Sequence, residues 1–133
     1  MLFVFILGIM EGGIVLYNKG ILTDACREGA RAGVLFRVDE TTYAYDPLTE
    51  TEIRTVINNY LNGRLLTFGP AFNPNTDIHV SWAPDPPTHK GKIDVQVHFI
   101  YTFMALPRLA AAVGGALGDG TLTISARSIM KME

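Results

Sequence analysis

An α+β fold, with one long apolar helix at the N-terminus and a small antiparallel head behind it, is predicted by three features of this 133-residue chain. The opening run MLFVFILGIMEGG is apolar for ten residues and is first interrupted at Glu11. No proline occurs before Pro47, so nothing in that interval forbids a continuous helix. Three later segments alternate apolar and polar residues with a period of two, the pattern of strands with one buried face. Composition agrees with this layout: 48% hydrophobic residues and a mean hydropathy of +0.22 suit one small core plus an anchor.

The helix is expected to run to about Arg37, dividing the chain into an N-terminal helix, 1–37, and a head, 38–133. A secretory signal peptide would show cations before the apolar run and a polar break after it, and neither is present. As a helix, residues 1–17 would rise about 25 Å against a hydrocarbon core of about 30 Å. Lys19, Arg27, Arg31 and Arg37 all follow the run, and Tyr17 stands where an interfacial aromatic anchor would. A processed or truncated start is the expectation that accounts for both the modest length and the missing leading cations.

Small residues recur along this helix at i, i+4: Gly8 with Gly12, and Gly29 with Gly33, the latter in line with Ala25. Such lines let another backbone approach closely, in a membrane or against a sheet, although glycine-containing helices also produce them by chance. Glu11 has Leu7, Gly8, Ile14 and Val15 as its helical neighbours, so no cation on its own helix can pair with it. A carboxylate at bilayer depth is costly unless it is protonated, reaches the headgroups or meets a partner. An N-terminal amine on an axially displaced second chain, about 15 Å along the helix, would supply one and set the register between copies. Arg27, Glu28 and Arg31 form a second charged group. They read either as a solvated face with Asp24–Arg27 and Glu28–Arg31 pairs, or as groups pairing across subunits.

In the head, Leu48 onward carries Ile53, Val56, Ile57, Tyr60 and Leu61 at helical spacing, with a Thr49–Glu52 capping box and Gly63 as a stop. TDIHVSWA alternates Ile78, Val80 and Trp82, and KIDVQVHFIYTF alternates Ile93 through Phe103. The connector PDPPTHKG makes these an antiparallel pair, and LTISARSIM supplies a further strand through Leu122, Ile124 and Ala126. MALPRLAAAVGGALGDG is too short to span a membrane and reads as two helical turns from Pro107, forming a lid on the sheet or, preferably, a subunit contact.

Catalytic and cofactor chemistry finds no support. His79 and His98 fall on polar faces of neighbouring strands, with His89 in the connector, yet HxxxH, HExxH and CxxC spacings are absent and only Asp77 and Asp94 lie near in pattern. Solvent-facing histidines are the simpler reading. The single cysteine, Cys26, makes neither an intramolecular disulfide nor a zinc site alone, and GxSxG and phosphate-binding glycine patterns are missing. A net charge of −2 and a pI near 5.9 leave no basic footprint for nucleic acid. No enzyme activity, cofactor or metal is expected.

The element GIMEGG, the stretch LTDACREGARAG and the terminal TLTISARSIMKME together resemble the TadE-like family of tight-adherence pilus proteins, whose members are similar to type IV pilins. Gly8, Ile9, Glu11 and Gly13 carry the first match, Arg27 to Arg31 the second, and Thr123 to Arg127 the last. The resemblance implies a pilin-like fold with a 3–4-stranded antiparallel sheet. It implies a subunit held in the inner membrane with its head extracytoplasmic, then built into an extracellular filament. Its implied partners are copies of itself or other pilin subunits and the pilus assembly machinery. The candidate assembly residues are Gly8, Glu11, Gly12, Tyr17, Arg27, Glu28, Gly29, Arg31 and Gly33. The competing expectation is a membrane-anchored binding module that displays its head without polymerising.

Overall fold

The computed structural model describes residues 2–38, 45–83, 91–105, 107 and 120–131. Helix α1 (Leu2–Val34) is followed by strands β1 (Phe36–Val38) and β2 (Tyr45–Pro47), helix α2 (Glu50–Leu61) and the single turn α3 (Pro74–Asp77). Strands β3 (Ile78–Ala83), β4 (Lys92–Thr102) and β5 (Thr121–Lys131) then form one antiparallel sheet in the order β3-β4-β5. This is the expected α+β, pilin-like layout of a long apolar helix, a second helix and a three-stranded sheet.

The sheet phases follow the alternation in the sequence. Ile93, Val95, Val97, Phe99 and Tyr101 of β4 are all buried on one face, and the register places Ile78 and Ala126 on either side of Val97. Against this face lies the C-terminal half of α1, through Leu22, Ala25, Cys26 and Ala30, with Ile53, Ile57 and Leu61 of α2 completing the core. The α2 start shows the predicted capping box: Glu52 N–H donates to Thr49 Oγ1 at 3.4 Å, and Thr49 N–H donates to Glu52 Oε2 at 2.9 Å. Gly63, at φ +72°, takes the left-handed conformation that ends this helical segment.

Two local features depart from the sequence reading. Helix α1 stops at Val34 rather than near Arg37, because the alternating Phe-Arg-Val that follows pairs as a strand, Phe36 opposite Pro47 and Val38 opposite Tyr45. Absence of proline permits a helix but does not compel one, and β-branched and aromatic residues tip this stretch toward the hairpin. The short α3, with Asn73 as N-cap and Pro74 at its first position, was likewise hidden, since four residues show no periodicity. The connector 84–90 and the two turns expected after Pro107 lie outside the described residues, apart from Pro107 itself. The return of the chain is pinned nonetheless: Phe103 N–H donates to Gly120 O at 2.8 Å, and Gly120, at φ +65°, sits against the Pro107 ring.

Candidate functional site: helix α1 and its seam with the head

Along α1 the residues turned toward the head are Glu11, Asn18, Leu22, Ala25, Cys26, Gly29, Ala30 and Gly33, a stripe at spacings of three, four and seven. Its upper part is apolar and tight. A Cβ built on Gly29 would lie 2.5 Å from Ile57 Cδ1, and one on Gly33 would collide with Ile93 Cδ1. The Gly29–Gly33 line is therefore a packing surface, but the head of the same chain fills it. Of the two settings expected for such a line, a membrane or a sheet, these contacts are with α2 and the sheet. Gly12 differs, for a Cβ there would meet nothing within 4 Å among the described residues. Gly8 is half-buried.

The lower part of the stripe is polar and buried. Asn18, fully inaccessible, donates from Nδ2 to Leu66 O at 2.7 Å, and its Oδ1 accepts from Leu66 N–H at 3.0 Å. One carboxamide thus satisfies both backbone groups of a residue in the loop that follows α2. Beside it, Lys19 Nζ donates to Ser125 O on β5. Two turns nearer the N-terminus, Glu11 is only 5% exposed, and its Oε1 accepts from the backbone N–H groups of Met104 and Ala105, each at 2.7 Å. The partner that its own helix cannot provide therefore comes from the head of the same chain, so no second chain is needed to satisfy the carboxyl group. Tyr101 lies close by. Burial first, and the charge of Glu11 second, hold its hydroxyl above the ordinary phenol range.

These seams were invisible in the sequence because each joins residues far apart in it: 48 positions for Asn18–Leu66, 93 and 94 for Glu11, 106 for Lys19–Ser125. One signal was available. Asn18 falls seven residues after Glu11 and four before Leu22, on the line that continues to Ala25 and Gly29, so a buried polar group was to be expected there.

The outward side of α1 is divided. From Leu2 to Tyr17 it is apolar, with Leu2, Phe3, Phe5, Ile9 and Leu16 each at least 70% exposed. Beyond Lys19 it is charged: Arg27, Glu28 and Arg31 are exposed, and Arg27 pairs with Asp24 at 3.7 Å on the helix surface. At this exposure the pair contributes only about 0.2–0.5 kcal/mol. The helix from Phe5 to Val34 is long and apolar enough to cross a membrane. On the outer sheet face His79 and His98 come together, ring centroids 5.5 Å apart, but no three metal-binding side chains meet among the described residues. There too Asp94 holds Arg127 at 2.5 Å, and that hydrogen bond keeps the Asp94 carboxyl below the usual carboxylate range.

Comparison with known proteins converges on the same helix. Residues 1–31 match the family model of TadE-like proteins, the family whose motifs the sequence resembles. Neither curated proteins nor solved structures give a match to the chain. The matched segment contains Glu11, Asn18 and the glycine at position 29, the groups that join α1 to the head. The matched segment thus falls within the helix that is long and apolar enough to cross a membrane, apart from its first residues.

Proposed function

We propose that the chain is a structural subunit or minor pilin of a tight-adherence or related pilus, held in the inner membrane by α1 and assembled through the same helix. The observation that carries this reading is the contrast along α1: a head-filled stripe on one side, and on the other a row of bare Leu, Phe and Ile side chains from Leu2 to Leu16. Those side chains are stable in lipid or against other apolar helices and unstable in water, at about 25 cal/mol for each Å² left exposed. A subunit that moves from bilayer to filament exchanges one such environment for the other. Copies of itself or other pilin subunits, with the assembly machinery, are the partners in this reading, and the head stays extracytoplasmic. Its role is structural, with no enzymatic step assigned.

Within the candidate set, the bare row together with Gly8, Gly12, Tyr17, Arg27, Glu28 and Arg31 faces neighbouring subunits. Glu11, Gly29 and Gly33 instead hold the subunit's own head. The test is to purify filaments from the native source and quantify this chain by mass spectrometry. Stoichiometric amounts identify a main subunit and trace amounts a minor one. Complete retention in the membrane fraction overturns the proposal in favour of an anchored head that does not polymerise.

A further inference from the structure

The head does not end where its charges end. At the end nearest Glu11, the loop 64–72, the β4 terminus 99–105 and the β5 start 120–126 carry a single charged residue among them, Arg64. In the same region Leu66, Phe68 and Met104 are 47%, 50% and 58% exposed. The opposite end holds Lys92, Asp94, Arg127 and Lys131, and the α1 surface level with it holds Asp24, Arg27, Glu28 and Arg31. This apolar rim is tied to the helix: Leu66 is bonded at both backbone groups to Asn18, and Met104 to Glu11. A bilayer that covers the exposed Leu16 and Tyr17 of α1 therefore also reaches Leu66, tied to Asn18, and covers Met104, tied to Glu11 about 10 Å deeper along the helix.

We propose that this rim, Leu66, Phe68 and Met104, together with Tyr17 of α1, is a lipid-docking surface that seats the base of the head in the membrane interface. The proposal rests on the membrane reading of α1 and fixes where the surface of the bilayer falls along it. The exposed apolar residues of the helix and those of the rim adjoin through the Asn18–Leu66 and Glu11–Met104 bonds, as an interfacial surface requires. Its aromatic members, Tyr17 and Phe68, are suited to the headgroup boundary. Lys19 and Arg64, the first cations above the rim, stand where lipid phosphates would lie, and Arg64 stacks on Tyr60 at 4.4 Å.

The depth of the rim can be read directly in the full chain, reconstituted in phosphatidylcholine vesicles containing phosphatidylglycerol. Phe68→Cys, Ile9→Cys and Ile129→Cys, each spin-labelled, report accessibility to oxygen in lipid and to a water-soluble nickel chelate; Cys26 is fully buried and escapes labelling. The expected result is an oxygen-over-nickel ratio several-fold higher at position 68 than at position 129, approaching that at position 9. A label at 68 that meets nickel as readily as the one at 129 places the rim in water and overturns the proposal. Shielding from both reagents gives the rim to a second copy and also overturns it. A water-exposed label at position 9 removes the membrane reading itself, and the rim with it. A high ratio at 9 with a low one at 68 overturns only the rim.

Discussion

The two halves of α1 are built from different residues and placed in opposite surroundings. Residues 20–34 turn small side chains inward against Ile53, Ile57 and Ile93 and turn charges outward, as a helix on a soluble core does. Residues 2–17 invert the pattern, with large apolar side chains outward and the one carboxylate, Glu11, turned in and bonded to the head backbone. The exchange takes place over the two turns from Glu11 to Asn18. One continuous helix can therefore serve two solvents, provided that polar groups at the crossover are satisfied by the chain itself.

The contrast is tested most severely by leucine at two glycines. Gly33→Leu should cost about 3 kcal/mol, the upper end for overpacking, because Ile93 and Ile53 already occupy the space a side chain would take. Gly12→Leu should leave thermal unfolding in detergent micelles unchanged or slightly improved, since that site is open, yet lower incorporation into filaments. Equal melting shifts for the two variants would erase the distinction between the halves. Asn18→Ala comes next. It leaves the Leu66 backbone pair without partners and should destabilise by about 2 kcal/mol, measured by denaturant titration.

A smaller effect is expected far from the crossover. Asp94 is held below its ordinary pKa by Arg127, so this contribution is present above the usual carboxylate range of about 3.9 and is lost as pH falls through the lowered value. Wild type should therefore melt slightly above Arg127→Gln at neutral pH, with the difference vanishing in acid. A gap that persists at the acid end would assign the Arg127 effect to packing.

Much of this architecture was legible in the sequence where the signal was periodic or local. The β4 and β5 phases follow from strict alternation, and the start of α2 follows from Thr49 and Glu52, three residues apart. The hairpin of β1 and β2 was not legible, because three residues per strand carry too little pattern to outweigh a helical context. At the candidate site the sequence singled out Glu11 and the Gly29–Gly33 line by residue type alone. It could not say what they touch, because Met104, Ile57 and Ile93 reach them only through the fold. It therefore looked to a second chain for the Glu11 partner that the subunit's own head supplies, and left open whether the glycine line meets a membrane or a sheet.

The central claim, that Glu11 locks the helix to its own head through hydrogen bonding, is tested most directly by amide hydrogen exchange at Met104 and Ala105. Both N–H groups donate to the same Glu11 oxygen, an acceptor that glutamine retains and alanine lacks. These two amides should be protected in wild type and in Glu11→Gln, and should exchange many-fold faster in Glu11→Ala, with the amides in the middle of β4 unchanged. Fast exchange already in wild type, or a Glu11→Gln variant that behaves like Glu11→Ala, would contradict the claim.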